Sequence, residues 1–265
     1  MVVASPTLDI LIATYAGNFS CVEENLPVIL RACQEKLSFI RWRVVLSYNG
    51  GDSQLASAEK LAKKNENVCL TYVRKPGKGN AILNGIRASP ADFVAYMDAD
   101  LATDLNVLPV LVHTVMNADL VSGSRYHANS TIQRDWIRFL VSSVYTKILL
   151  RGFLGVHFTD PQCGFKAFNR KRIAPILDQV EDSWFFFETE FTYKAEQSGL
   201  RIIEIPVTWR EQPNSSVKLI PTILNFLQNI WRLRMKHARS VNPPWIENVS
   251  RPHDASFSKS RRRKK

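Results

Sequence analysis

The sequence predicts an α/β fold, a mostly parallel central sheet covered by helices on both faces. Three observations predict it. Short apolar runs alternate along the chain with longer amphipathic segments, the pattern of a layered α/β domain. The runs are short, Val/Ile/Leu-rich and separated by helices, as in parallel strands buried on both faces. Polar motifs follow directly on the runs, and open sheets of this kind bind ligands beyond the carboxyl ends of their strands.

Taken in order, residues 8–14 (LDILIAT) are the first expected strand and 21–37 the first helix. The β-rich runs 43–48 (RVVLSY) and 68–73 (VCLTYV) enclose a helical pattern at 53–64. A third helix is expected over 78–88, then a strand at 92–97 (DFVAYM) and a helix at 105–118. A short strand at 120–122, a helix at 137–150, a helix at 188–198 and a strand at 201–209 (RIIEIPVTW) complete the set. The chain contains no internal repeats.

The 265 residues, 45% of them hydrophobic, suit one domain with a buried core, expected over 1–240. Cys21, Cys33, Cys69 and Cys163 are scattered without a CxxC pair, which argues against a zinc cluster or disulfide framework and suits a reducing cytosol. No signal peptide is legible at the amino terminus. The longest stretch free of charged residues, 105–118, falls short of the roughly 18–20 residues a membrane span needs, so any membrane contact is expected to be peripheral. Net charge is +11, yet from Arg232 onward eleven Lys or Arg face only Glu247 and Asp254. The basicity therefore belongs to a tail, 241–265, whose Pro, Ser and Arg/Lys content reads as disordered. A solvated tail and contact with an anionic membrane account for it equally well, and no nucleic-acid partner is expected.

The chemistry lies in the loops. Asp98-Ala99-Asp100 follows the strand at 92–97, and two carboxylates so placed can share a divalent ion with a diphosphate. Such a pair alone is common, so its neighbours matter. Lys75-Pro76-Gly77-Lys78-Gly79-Asn80-Ala81 opens a helix, where two glycines would let the backbone approach an anion at the dipole's positive end. Gly123-Ser124-Arg125 delivers a guanidinium, suited to bidentate phosphate contact, to the same side of the sheet.

Together these pieces resemble the family 2 glycosyltransferases of GT-A fold, in particular the polyprenyl-phosphate hexosyltransferases that include dolichyl-phosphate mannose and glucose synthases and archaeal relatives. The resemblance covers about residues 8–233. Its pieces stand in family order: Ile12-Ala13-Thr14-Tyr15, Tyr48-Asn49-Gly50-Gly51-Asp52, Gly77-Lys78-Gly79, Asp98-Ala99-Asp100-Leu101, Gly123-Ser124-Arg125-Tyr126, Asp160-Pro161-Gln162-Cys163-Gly164-Phe165-Lys166, Phe187-Glu188-Thr189-Glu190 and Glu204-Ile205-Pro206-Val207-Thr208-Trp209. Three features depart from the pattern. Ala13 and Ala16 replace the usual Pro and Asn of the first loop, Tyr48 stands where an acid is common, and Ala102 replaces a Gln that serves several relatives near the metal.

The resemblance implies a metal-dependent, inverting hexosyltransferase using Mg²⁺ or Mn²⁺ held by Asp98 and Asp100. It implies catalytic roles for Asp98, Asp100, Arg125 and Glu190, with Glu188 as an alternative to Glu190, and donor contacts at Thr14, Tyr15, Asn49 and Lys78. The donor would be a nucleotide-sugar, GDP-mannose or UDP-glucose, and the acceptor polyprenyl (dolichyl) phosphate. Apolar residues recur at helical spacing from Ile137 to Ile148, with Arg134, Arg138 and Ser142 opposite. Relatives bind the lipid phosphate with an Arg and a Ser so spaced, which assigns Arg138 and Ser142, and Lys218 matches a family Ser-Lys-Leu here split by Val217. Helices lying in the interface are expected at about 134–155 and 219–238, placing the protein in the cytoplasm at a membrane's cytosolic face. Rival readings are a transferase with a soluble glycan or protein acceptor and, of another class, a non-catalytic scaffold of the same fold. A processive polysaccharide synthase is excluded by its missing Gln-x-x-Arg-Trp signature.

Overall fold

The computed structural model describes residues 5–133, 145–211 and 219–241. Strands β1 (Thr7–Thr14), β2 (Arg41–Asn49), β3 (Val68–Val73), β4 (Phe93–Met97) and β5 (Leu120–Ser124) alternate with helices α1 (Phe19–Lys36), α2 (Leu55–Lys63), α3 (Lys78–Ala88) and α4 (Leu108–Val115). There follow a short strand β6 (Thr131–Gln133), a wide-turned π-type helix α5 (Tyr145–Leu154), β7 (Phe165–Asn169), α6 (Arg170–Leu177) and α7 (Phe187–Gln197). Strands β8 (Ile202–Pro206) and β9 (Thr208–Arg210) and helix α8 (Leu219–Val241) end the described chain.

Seven strands form one sheet in the order β3-β2-β1-β4-β7-β5-β8, while β6 and β9 pair separately. β7 runs antiparallel to both neighbours; the other pairings are parallel. Its direction decides where the site lies. Thr14 stands opposite Tyr48, Ile12 opposite Met97, and Met97 opposite Phe165, the first residue of β7. The loop entering β7 therefore shares one edge of the sheet with the loops leaving β1, β2, β4 and β5.

Both faces are buried, as the apolar runs predict. Leu8, Ile10 and Ile12 pack under α1 and α4, while Leu11, Val45, Val94 and Tyr96 meet α3, α6 and α7 on the other side. A third cluster joins α5, α7 and α8 through Leu150, Leu154, Phe186, Tyr193, Ile230 and Leu233.

The expected strand at 201–209 is split at Val207 into β8 and β9, which belong to different sheets. The expected helix at 137–150 falls partly outside the described residues, and its described end continues to Leu154. Strand β7 is an addition to the expected set, with Lys166, its second residue, fully buried.

Candidate active site

The Asp98–Asp100 turn leaves β4 with its backbone fixed from both sides. From α1, Asn25 Nδ2 donates to the Ala99 carbonyl at 2.9 Å and the Cys21 thiol approaches the same oxygen at 3.4 Å. Leu101 has a φ of 54°, left-handed backbone that a branched side chain rarely adopts. Strain of this kind costs on the order of 1–3 kcal/mol and clusters at functional turns. The rim of Asp100 faces solvent while its carboxylate lies partly beneath neighbouring groups, and one of its oxygens accepts from the Ala102 amide at 3.1 Å. Burial, and after it the Asp98 charge, push the Asp100 carboxyl above its usual range.

Asp98 is joined to two other elements. Lys78, the first residue of α3, places its ammonium 2.7 Å from Asp98 Oδ1 and 2.9 Å from Glu188 Oε1, on α7. Glu188 is buried, and the two carboxylates hold the Lys78 ammonium strongly protonated against the cost of burial. Behind Asp98 lies Gly164, where any Cβ would overlap the carboxylate. Glycine at 164 is thus a requirement of close approach.

The loop entering β7 is fixed in turn. Lys166 donates to the carbonyls of Pro161 and Cys163 at 2.7 and 2.6 Å. Glu204 of β8 accepts from the amides of Thr159 and Asp160 at 2.8–2.9 Å. Arg125 grips Asp160 with Nε at 2.7 Å and a terminal nitrogen at 2.8 Å, and its guanidinium lies 5.3 Å from the centre of the Trp209 ring. The adjacent guanidinium holds the buried Asp160 carboxyl below its usual range.

Several expected roles change with this geometry. The expectation that Gly77 and Gly79 open the α3 terminus to an anion is corrected: side chains there would collide with Ser183 and Phe187, and the Asn80 amide donates to the Ser183 carbonyl at 3.2 Å. The residue at this terminus that meets the Asp98 turn is Lys78. Arg125, expected at phosphate, is committed to Asp160. Glu190 points elsewhere: its Oε2 accepts from the amides of Glu181 and Asp182 and from Arg232 of α8. Residues two apart on a helix lie on different faces, and Glu188 is the member of the pair that meets Lys78, the partner of Asp98.

Thr14 turns its hydroxyl back to the Ile12 carbonyl. Asn49 bridges two loops, donating to the Thr14 carbonyl and accepting from the Gly77 amide, each at 2.8 Å. Both hold the loops of the edge in register. Tyr15 is 43% exposed and stands beside them. Tyr48 is buried under Phe19 and Ala58. Arg138, Ser142 and Lys218 lie outside the described residues. Sequence reasoning gave no role to Asn25 or Arg232, and it placed Lys166 and Glu204 within family motifs without assigning either a role. Lys166 carries a further signal, a lysine between Phe165 and Phe168.

Among the described residues no cluster of three or more His, Cys, Asp or Glu surrounds a metal position. Asp98 and Asp100 nonetheless fit Mg²⁺ or Mn²⁺, which take one or two carboxylates and complete their shells with phosphate and water. Their mutual repulsion, visible at Asp100, is what a dication relieves.

On the far side of α7, α5 and α8 present apolar groups outward. Ile148 and Trp231 are 61% exposed, Leu224 and Leu227 stand beside them, and Phe153 stacks on Trp231. Lys147, Arg151 and Lys236 are exposed on the same two helices. No helix of the described residues is long and apolar enough to cross a membrane.

Comparison with known proteins gives a consistent result. The family description "Glycosyl transferase family 2" matches residues 9–175. The glycosyltransferase AglD of Haloferax volcanii is 30% identical over 223 residues, covering 81% of this chain and 36% of that protein. A dolichyl-phosphate beta-glucosyltransferase of Trichomonas vaginalis is 30% identical over 214 residues, 74% of this chain and 65% of that one. The chain thus spans about a third of the first relative and just under two thirds of the second. Among solved structures, glucosyl-3-phosphoglycerate synthase of Mycobacterium tuberculosis with uridine-diphosphate superposes with a TM-score of 0.60 at 14% identity, over 88% of this chain and 80% of that one. Its complex with Mn²⁺, uridine-diphosphate and product gives 0.57 at 13% identity, over 89% and 80%. At such identity the likeness is one of fold.

Proposed function

The chain belongs to the family 2 glycosyl transferases, and we propose that it transfers a hexose from GDP-mannose or UDP-glucose to a polyprenyl (dolichyl) phosphate at the cytosolic face of a membrane. The observation that carries the reading is the position of α7. One side of this helix sends Glu188 to the Lys78–Asp98 pair. Just before it Phe186, and along it Tyr193, enter the apolar cluster with Ile230 and Leu233 of α8. A charged edge that suits a diphosphate and an apolar, cation-bearing face that suits a lipid lie a helix apart.

The chemistry asks little of a base. A phosphate monoester with a second pKa near about 6 is mostly dianionic at neutral pH and attacks the anomeric carbon directly. The protein's work is then positioning and stabilising the departing nucleoside diphosphate. Asp98 and Asp100 would hold the Mg²⁺ or Mn²⁺, which supplies neutralising charge at the diphosphate when bound. Lys78 adds a cation at the same turn. Tyr15, exposed beside the Thr14–Asn49 bridge, offers a flat surface to the nucleotide. Arg125 and Asp160 keep the β7 loop, and with it Gly164, against Asp98. Arg138, Ser142 and Lys218 are assigned to the lipid phosphate on the family pattern. Inversion gives a β-linked lipid-phosphate hexose.

The test is a donor screen with polyprenyl phosphate and full-length protein, read as radiolabelled lipid. Label is expected in the organic phase from one nucleotide-sugar. Arg138→Ala is expected to raise the Michaelis constant for polyprenyl phosphate roughly ten- to a hundredfold, the loss of a charge-assisted contact of about 1.5–3 kcal/mol, with donor affinity unchanged. Transfer to a soluble glycan without lipid, at equal rate in Arg138→Ala, would overturn the reading.

A further inference from the structure

Lys78 occupies an unusual place for a cation. It is the first residue of α3, at the helix end whose dipole repels positive charge, and its side chain is 17% exposed. What keeps it there are two carboxylates, Asp98 Oδ1 at 2.7 Å and Glu188 Oε1 at 2.9 Å. The other oxygen of Asp98 lies against Gly164. The Asp98 side chain is still 41% exposed, so the carboxylate is open to a ligand while one oxygen already carries the ammonium.

A divalent ion that uses Asp98 arrives at a carboxylate that Lys78 already neutralises. The ammonium and the dication compete for one carboxylate and repel each other across it. A nucleoside diphosphate changes the balance, because its oxygens give the ammonium a new anionic partner within the same edge. Glu188 stays behind as an anchor, so Lys78 can pivot without leaving the site.

We propose that Lys78 is a resident counter-ion of Asp98 that hands this carboxylate to the metal only when a nucleoside diphosphate takes its charge. The inference rests on the metal reading of Asp98 and Asp100. It adds that metal and nucleotide bind with positive coupling, carried by this side chain. Empty protein then has low affinity for a lone divalent ion, and the catalytic charge assembles only around a donor.

The experiment measures binding, not turnover. Free Mn²⁺ is titrated by its solution EPR signal against full-length protein, alone and with saturating UDP or GDP. Parent protein is expected to bind Mn²⁺ weakly alone and at least about tenfold more tightly with one nucleotide, a coupling in the ordinary range for linked sites. Lys78→Met should tighten binding of Mn²⁺ alone by about tenfold and cut the nucleotide effect to about threefold or less. Lys78→Arg, which keeps the cation, should retain most of the coupling. Lys78→Met with Glu188→Gln removes the carboxylate left unpaired in the single variant, so a folding defect of Lys78→Met does not decide the outcome. Asp98→Asn in either background should abolish the difference between them. If both Lys78→Met proteins bind Mn²⁺ alone no tighter than the parent, or keep its full coupling, Lys78 is a structural staple and the proposal is wrong. If the parent binds no Mn²⁺ even with nucleotide, the metal reading of Asp98 and Asp100 falls with it.

Discussion

The carboxyl edge of the sheet and the α5–α8 face depart from ordinary burial in opposite directions. At the edge, charged groups are taken out of water: Asp160, Lys166, Glu188 and Glu190 are all buried. On the α5–α8 face, Ile148, Leu224 and Trp231 are left in water. Buried charge is costly unless paired, and exposed large apolar groups gathered on one face mark an interaction surface. At the edge each charge has found its partner, so the cost is met by geometry. On the helical face, among the described residues, Phe153 and Trp231 stack on each other and the Arg234 guanidinium lies 5.7 Å from the Phe153 ring. One region pairs its charges within the chain, and the other leaves large apolar groups exposed.

The largest effect expected from breaking the edge is at Asp100. Asp100→Asn should lower nucleoside-diphosphate release by about a hundredfold or more, since it weakens the hold on the divalent ion proposed to neutralise the leaving group. Stability should move the other way. Asp100 titrates above its ordinary value in the folded chain, so the folded state binds this proton more readily than the unfolded one. Above the folded pKa the ionised carboxylate therefore subtracts from stability, and the penalty disappears as pH falls below the unfolded value. Asp100→Asn should melt no lower than the parent at pH 7, with any margin closing toward pH 3. A clear loss of melting temperature at pH 7 would make Asp100 a structural residue.

Arg125 should behave in the reverse manner. Its guanidinium is bidentate on a carboxylate that is 1% exposed. Breaking a buried pair by removing one partner typically costs about 3–5 kcal/mol. Arg125→Ala should thus lose stability of that size by chemical denaturation, and its activity should fall with the folded fraction. A variant that folds normally yet fails to turn over at saturating acceptor would return Arg125 to the reacting centre.

How much of this could be seen beforehand follows the same division. The parallel strands and the Asp98-Ala99-Asp100 turn were legible, because an apolar run followed by paired acids is a local signal. The α5–α8 face was partly legible, because amphipathic spacing is local as well. Strand β7 was not, since its buried Lys166 breaks the apolar pattern and its ammonium is satisfied by carbonyls three and five residues away in a loop whose shape the sequence does not announce. The glycines of the α3 terminus were misread for a related reason. Glycine signals close approach, but Ser183, the group that approaches, lies more than a hundred residues away. The choice between Glu188 and Glu190 depended on helix phase against two distant elements. The positions of Arg138, Ser142 and Lys218 lie outside the described residues, so their assignment rests on the family pattern alone.

That helix phase can be tested directly. Glu188→Gln removes one carboxylate from Lys78 and leaves the other, so turnover should fall while the melting temperature changes little. Glu190→Gln keeps an acceptor for the Glu181 and Asp182 amides but withdraws the charge facing Arg232. It should cost about 1.5–3 kcal/mol of stability, the worth of a hydrogen bond to a charged group, with smaller effect on turnover. Interchanged outcomes would place Glu190, not Glu188, at the chemistry.

The smallest expected effect concerns the exposed face, and it needs a control on the other side of the sheet. Trp231 of α8 and Val110 of α4 are both apolar and exposed, so composition alone does not distinguish them. Their surroundings do: Trp231 lies among Phe153, Leu227 and the cations of α5 and α8, whereas Val110 stands on a helix that packs the opposite face. Trp231→Ser should weaken binding to anionic vesicles by at most about 1.5–3 kcal/mol, the value of burying one large apolar side chain. Folding stability should stay within about 0.5 kcal/mol, because the ring is mostly in water already. Val110→Ser should leave vesicle binding unchanged. Salt separates the contributions, since cation–headgroup attraction is screened within about 10 Å at 0.1 M and burial of an indole is not. The Trp231 decrement should therefore persist at high salt, where the basic tail no longer contributes. Equal losses from both substitutions would mean that the exposed groups of α8 are ordinary surface and that the membrane is met elsewhere.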